Sequence, residues 1–347
     1  MKIEHHHTAV PDSRVRFSRV LTALVFMIFG TSSGTFSLAA ENAGASFPNR
    51  PIRIIVGFAP GGTADIVTRI MAEKLSEDWK QAVIVDNRPG ASGAIGVDIV
   101  AKSAKDGYTM GTISGTFTIV PALGQKLPFD VHKDFTVVNR IVQFPFILAT
   151  GTGGNMVNVK SFSDFINTAR SKPKLVSYAS SGPGSVSHLS SELMGAATKV
   201  DFLHVPYKGT GAAITDIIGG RVDFTLSSAP EILGFLKNKQ LRGLAVMTSQ
   251  RLAALPDVPP ITDSLKGLEL GNWFAFLVPS GVPRPILERL NVGVGKAATS
   301  EKLKPKWEEQ TTAGTSVSLK DADDHYRSEL KRWDTIVKSL GLENLNK

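Results

Sequence analysis

The stretch Ile52-Arg53-Ile54-Ile55-Val56-Gly57-Phe58-Ala59-Pro60-Gly61-Gly62-Thr63-Ala64-Asp65 decides the fold class. Its first half, Ile52 to Phe58, is a short β-branched run and reads as a buried strand. Pro60-Gly61-Gly62 breaks that run. Ile66, Ile70, Met71 and Leu75 then fall at helical spacing, so a helix follows the turn. The pattern repeats downstream. Ala82 to Val85 reads as strand, Asn87-Arg88-Pro89-Gly90 as turn, Ala94, Val97, Val100 and Ala101 as helix, and Tyr108 to Ile113 as strand. Strand and helix in alternation predict a parallel sheet with helices on both faces.

The rhythm resumes later. Helices are expected at Phe162 to Ala169, from about Ser185 to Leu193, at Ala212 to Ile218 and at Ile232 to Leu236. Strands are expected at Leu175 to Ala179, Phe202 to Val205, Val222 to Leu226 and Gly243 to Met247. Two α/β units follow from this. Phe144 to Asn158, with Gly151-Thr152-Gly153-Gly154, is one candidate junction, and Gly271-Asn272 before Trp273 is the other. The C-terminal end reads as a helix with Leu319, Tyr326, Leu330, Trp333, Ile336 and Val337 on its buried stripe.

With 347 residues, 42% of them hydrophobic, the chain can bury one large core or two. The formal net charge is +8. No Lys/Arg run with interleaved aromatics occurs beyond residue 20, so no nucleic-acid partner is expected. The absence of cysteine excludes disulfides, thiolate metal sites and cysteine nucleophiles. At the N-terminus Arg14, Arg16 and Arg19 precede the apolar run Val20 to Phe29, and small residues follow. This is the pattern of a secretory signal peptide, too short to span a membrane, with Ser37-Leu38-Ala39 or Ala43-Gly44-Ala45 as cleavage site. Residues 1–39 are therefore expected to be removed, His5, His6 and His7 with them, and the mature chain to be periplasmic.

Four segments sit where a strand runs into a helix, the usual location of α/β ligand sites. In the first, Phe58 to Asp65, Gly61 and Gly62 let the backbone approach a ligand, Thr63 is a candidate N-cap, and Asp65 suits the helix dipole. The second is Ser180-Ser181-Gly182-Pro183-Gly184-Ser185-Val186-Ser187-His188, where hydroxyls and amides converge in a way that suits a carboxylate. The third, Val205-Pro206-Tyr207-Lys208-Gly209-Thr210-Gly211, adds a lysine. The fourth is Ser227-Ser228-Ala229-Pro230. The first is equally compatible with an ordinary, well-capped βα turn, Lys208 with a solvated loop lysine, and a lone histidine such as His188 is more often structural.

Catalytic constellations are missing from the sequence pattern. Gly30-Thr31-Ser32-Ser33-Gly34 matches Gly-x-Ser-x-Gly but sits in the leader. His132, His188, His204 and His325 show no ligand-like spacing, and there is no His-Glu-x-x-His. Neither an enzyme nor a metal or other cofactor is expected.

The stretch 52–65 resembles a hallmark of the Bug receptors, the extracytoplasmic solute-binding proteins of tripartite tricarboxylate transporters. Asn87 to Gly93, Asp106-Gly107-Tyr108-Thr109, Gly182 to His188, Val205 to Gly209, Gly219-Gly220-Arg221-Val222-Asp223, Leu255 to Pro259 and Trp273 to Ser280 match in order, over residues 47–345. The resemblance implies an α/β, two-lobed periplasmic binding protein of type II, a Venus flytrap, each lobe a mostly parallel sheet flanked by helices. It implies one lobe from residues 47–145 and 273–347, and another from 146–272. The implied ligand is a small carboxylate: a dicarboxylate, amino acid or aromatic acid. Its site would comprise Phe58, Pro60, Gly61, Gly62, Thr63, Ala64 and Asp65; Ser114, Thr116 and Phe117; Ser180, Ser181, Gly184, Ser185 and His188; Tyr207, Lys208 and Gly209; and Ser227 and Ser228. Phe58, Phe117 and Tyr207 would stack an aromatic acid or wall the cleft. The implied partners are transporter subunits of the cytoplasmic membrane, met by a monomer. The rival readings are a sensory protein of the same fold, an exported hydrolase and a structural envelope protein.

Overall fold

The computed structural model describes Met1, residues 46–207 and residues 210–343. The leader reading, and the positions Lys208 and Gly209, lie outside the described residues. Everything below concerns the compact unit Pro48–Lys347.

The first half of this unit runs β1 (Ile52–Val56), α1 (Thr63–Trp79), β2 (Val83–Asn87), α2 (Ala94–Ala101), β3 (Thr109–Ser114) and α3 (Gly115–Ile119). A long strand, β4 (Phe135–Thr150), leads into the second half. That half contains α4 (Phe162–Ser171), β5 (Ser177–Ser180), α5 (Val186–Thr198), β6 (Leu203–Pro206), α6 (Thr210–Ile218), β7 (Phe224–Ser228), α7 (Ala229–Lys237) and β8 (Arg242–Val246). Then β9 (Gly271–Pro279) returns to the first half, followed by α8 (Arg284–Ala298), α9 (Lys304–Glu309) and α10 (Leu319–Ser339).

The strand order is β2-β1-β3-β9-β4-β7-β5-β6, with β8 paired to the β4 segment Ile147–Thr150. Pairing is parallel among β2, β1 and β3 and among β7, β5 and β6. It is antiparallel wherever β4 or β9 takes part. The parallel strands carry the unbroken apolar runs that two covered faces demand: Ile52, Ile54, Ile55 and Val56 of β1 are all buried. On α1 the buried stripe is Val67, Met71 and Leu75, while Ile66 faces outward at 38% exposure.

The Gly151-Thr152-Gly153-Gly154 junction seen in sequence follows a strand rather than a linker. β4 runs sixteen residues to Thr150, pairing Phe135 to Pro145 with β9 and Phe146 to Thr150 with β7. One strand thus contributes to two cores. Phe117, Phe135, Trp273, Leu277, Tyr326 and Leu330 pack in the first half. Phe146, Leu148, Phe165, Tyr178, Leu189 and Phe224 pack in the second. The C-terminal helix also straddles them. Ala322, Tyr326 and Leu330 of α10 join the first cluster, and Trp333 and Val337 one and two turns later join the second.

Candidate functional site

β1 delivers the chain into a loop built on close backbone contact. A Cβ at Gly57 would lie 2.6 Å from the Gly93 carbonyl oxygen, so glycine lets the turn at 90–93 sit directly on the loop. The Phe58 ring covers Gly93 from the other side: a Cβ there would come 3.3 Å from Phe58 Cζ. Gly61 has φ +81°, the left-handed region that glycine enters without strain. The N-cap of α1 is Gly62, not Thr63 as the sequence suggests. With no capping side chain, the first N–H groups of α1 keep their hydrogen-bonding capacity. Thr63 is instead the first helical residue, and its hydroxyl donates to Glu231 Oε1 at 3.1 Å.

Asp65 does not point its carboxylate out for a ligand. It accepts the Gly61 N–H at 2.9 Å, the Asn87 amide at 2.9 Å and Arg69 Nε at 2.9 and 3.0 Å. Burial acts to raise its pKa, but the Arg69, Gly61 and Asn87 hydrogen bonds outweigh burial and hold the carboxyl below the usual range. Its role is to anchor the loop.

The second loop follows β5. Ser185 caps α5, its Oγ accepting the His188 N–H at 3.2 Å and donating to the Gly182 carbonyl at 2.7 Å. Ser187 Oγ lies 3.1 Å from Ser185 Oγ and accepts the Ser181 N–H at 3.1 Å. Gly184 donates its N–H to His188 Nδ1 at 3.1 Å. The His188 ring is therefore a support beneath the loop and not a group projecting from it. Beyond it lies a stack: His188 and His204 at 4.0 Å between ring centroids, then Tyr178 at 4.8 Å from His204. Ser180 Oγ and His204 Nε2 are 2.6 Å apart. Burial, and next the neighbouring His204, push the His188 pKa down to about 3, so both rings are held neutral.

Two aromatic residues expected to line the site are used elsewhere. Phe117 is buried, stacked on Tyr326 at 6.2 Å and edge-on to Phe135 at 6.0 Å, inside the first core. Tyr207 donates its hydroxyl to Asp216 Oδ2 at 2.7 Å; burial and then that carboxylate push its pKa up to about 12. Ser227 Oγ lies 3.0 Å from Thr225 Oγ1, and Ser228 is the N-cap residue of α7 with no capping bond from its side chain. Ser114 holds the equivalent position before α3.

The loops from the two halves meet. Thr63 and Glu231 join the starts of α1 and α7. A Cβ at Gly115 would come within 3.4 Å of Val186, so the segment Ser114–Thr116 lies against the start of α5. Asn272 fixes that approach, its Oδ1 accepting the N–H of Gly115 at 3.0 Å and of Trp273 at 2.9 Å. The sequence reading missed Glu231, Asn272 and His204 as parts of the site, and held Ser187 only as one residue of the second stretch. Only for Glu231 did a local signal exist, an acidic residue three positions after a serine N-cap. The resulting surface offers hydroxyls and helix-start N–H groups; the serine that lies beside an imidazole, Ser180 with His204, is buried and also accepts the Gly182 N–H at 3.1 Å. Among the described residues no cluster of three metal-ligating side chains occurs.

Comparison with known proteins agrees with this arrangement. The family model described as tripartite tricarboxylate transporter family receptor matches residues 67–342. A protein from the tcbD-tcbE intergenic region of Pseudomonas sp. (strain P51) is 32% identical over 96% of this chain and 97% of its own length. The protein BugT of Bordetella pertussis is 30% identical over 90% of this chain and 96% of its own. The solved structure of R. palustris Rpa4515 with adipate superposes with a TM-score of 0.79 at 33% identity, covering 85% of this chain and 99% of that one. The architecture is that of a periplasmic binding protein, as the sequence implied.

Proposed function

Since the chain belongs to the tripartite tricarboxylate transporter receptor family, we propose that it captures a small carboxylate between its two halves and presents it to membrane subunits of such a transporter. It is a solute-binding protein and not an enzyme, as its relatives and structural neighbours are. The halves are the proposed lobes, residues 47–145 with 273–347 and residues 146–272, and the hinge is the crossing of β4 and β9. The relative with adipate bound supports a dicarboxylate as ligand. Family and neighbours support a periplasmic location, and the N-terminal pattern supports delivery there by a cleaved leader.

The observation that carries this reading is the Thr63–Glu231 hydrogen bond, which brings the starts of α1 and α7 together from opposite halves. A carboxylate placed on the α1 side of that contact meets a helix start that no side chain caps. Each helix start contributes about 0.3–1 kcal/mol to an anion, and about 2 kcal/mol when partly buried. A micromolar ligand needs about −8 kcal/mol. Direct hydrogen bonds from Ser181 and Ser228, and the expulsion of water on closure, supply the remainder.

Thermal unfolding with adipate, succinate, aspartate and benzoate tests the proposal. A ligand at about 100 times its Kd stabilises by about 2.7 kcal/mol, a shift of several degrees. No shift with any of the four acids at millimolar concentration would overturn it. Sequencing the N-terminus of the exported protein tests the leader, with residue 40 or 46 expected first.

A further inference from the structure

The loops at 180–188 and 227–231 lie at one end of the strands of the second half. Strand register defines the opposite end. Thr150 closes β4 beside Phe224 of β7 and Arg242 of β8, and Ser177 opens β5 beside Leu203 of β6. The loops at 151–160, 171–176, 199–202, 219–223 and 237–241 therefore gather there. Side chains tie them together. Lys172 Nζ donates to Asn155 Oδ1 at 2.8 Å, Arg170 to the Thr198 carbonyl at 3.2 Å, and Arg242 to the carbonyls of Met156 and Val159. Lys174 and Lys199 line one groove with Leu203.

This end carries cations without counter-ions. Arg170, Lys172, Lys174, Lys199, Lys237 and Lys239 have no carboxylate within ion-pair distance among the described residues. The nearby carboxylates are engaged elsewhere. Asp216 pairs with Arg221 at 2.7 Å, Asp164 closes the capping box of α4, buried Asp223 accepts the Ser177 N–H at 2.8 Å, and Glu192 accepts from the Tyr178 hydroxyl. Asp201, in the groove, offsets one of the six charges. At the corresponding end of the first half, by contrast, Arg50 pairs with Asp106 at 2.6 Å and Lys102 with Asp98 at 2.7 Å. Backbone conformation singles out three of the six. Lys174, Lys199 and Lys239 have φ of 59°, 54° and 57°, the left-handed region where glycine or asparagine is the ordinary choice. A lysine strains such a turn, so its charge and not the backbone accounts for it. Between the cations stand aliphatic side chains: Val157, Leu175 and Leu203 are 55%, 66% and 52% exposed. Among the described residues no aromatic side chain is exposed there, which leaves nothing for bases to stack on. Cations interspersed with aliphatic groups fit the headgroup layer of an anionic bilayer, where the charges meet phosphates and the aliphatic groups enter the acyl boundary.

We propose that this end of the second half docks on anionic phospholipid at a membrane surface. Docking there holds the exported receptor at the bilayer and leaves the loops at 58–65 and 180–188 uncovered. The inference rests on the periplasmic reading above and not on the identity of the ligand.

Cosedimentation of the protein recovered from the periplasm with vesicles of phosphatidylglycerol and phosphatidylcholine, at low salt and without ligand, tests this. The protein binds these vesicles, and vesicles of phosphatidylcholine alone bind it at least about tenfold more weakly. Lys199→Gly weakens binding to the anionic vesicles about fivefold, and the triple variant Lys174→Gly, Lys199→Gly, Lys239→Gly weakens it at least about tenfold. Each substitution puts glycine where φ is positive, so the variants keep the fold. Lys80→Gly, at φ 53° in the first half, is the matched control and binds as wild type does. The inference is overturned if the wild type does not bind phosphatidylglycerol vesicles, whatever acidic protein the same surface captures. It is also overturned if neutral vesicles bind equally, if the triple variant binds as wild type, or if Lys80→Gly loses as much as Lys199→Gly. Stabilisation by carboxylic acids is the same in the triple variant as in wild type, which keeps this result separate from the fate of the proposed cleft.

Discussion

The hydroxyl of Thr63 donates to Glu231 Oε1 at 3.1 Å, a contact between residues 168 positions apart that joins the first turns of α1 and α7. It is a specific bond between the two halves at the place where the ligand is proposed to sit, so it bears on closure as well as on binding.

Thr63→Val keeps the side-chain shape and removes the donor. A hydrogen bond to a charged acceptor contributes about 1.5–3 kcal/mol. Shared between closure and the ligand, the loss appears as a five- to fiftyfold rise in Kd for whichever acid stabilises the protein most. Glu231→Gln retains an acceptor and costs less. Equal affinities of wild type and Thr63→Val in calorimetry would remove this contact from the mechanism.

Asp65→Asn removes the charge that holds Arg69, Gly61 and Asn87. The folded carboxyl has a lowered pKa, so it contributes stability at pH above its unfolded value and loses it as pH falls through the folded value. The variant is less stable than wild type at pH 7 by about 1–3 kcal/mol and unfolds at lower temperature. The difference shrinks toward pH 3. A gap that stays constant from pH 7 to pH 3 would contradict the assignment.

His188 provides the opposite chemistry and the same direction. Its proton leaves at about 3 in the folded chain against an ordinary 6.5. Between these values the unfolded chain binds more protons, so stability falls as pH drops below 6.5 and the loss is complete near pH 3. One pKa unit is about 1.4 kcal/mol, which makes this loss on the order of 3 kcal/mol at pH 4. His188→Gln, while less stable at pH 7, shows a shallower decline from pH 6.5 to 4 in denaturant titrations. Parallel declines in the two proteins would mean that His188 is not the group responsible.

Gly57→Ala places a methyl 2.6 Å from the Gly93 carbonyl oxygen and 2.7 Å from its Cα. Both obstacles are backbone and cannot rotate away. Overpacking of this kind costs about 1–3 kcal/mol. The turn at 90–93 must move off the loop at 58–62, and amide exchange accelerates in both segments. Gly234→Ala, where nothing lies within 4 Å of the new Cβ, is the neutral control.

Local sequence determined the elements. The β-branched run Ile52–Val56, the glycines after it and the apolar spacing beyond suffice for a strand, a turn and a helix, because each depends on neighbours a few residues apart. The repeated pattern likewise gave the α/β class, and the motif order gave the family. Local spacing also placed the serine cap of α5, where Ser185 accepts the His188 N–H.

Only the tertiary structure decided how those pieces serve a site. Asp65 and His188 enter the implied site through the family resemblance, yet both spend their hydrogen bonds on their own loops. Phe117 reads as a cleft wall, but its ring is taken by Tyr326, 209 positions away in sequence. The two strands that join the halves, and the helix that lends Tyr326 to one core and Trp333 to the other, leave no local trace. The physical reason is the same in each case. A side chain's partner across the fold is set by long-range strand register and helix packing, and neither is encoded in the spacing of adjacent residues.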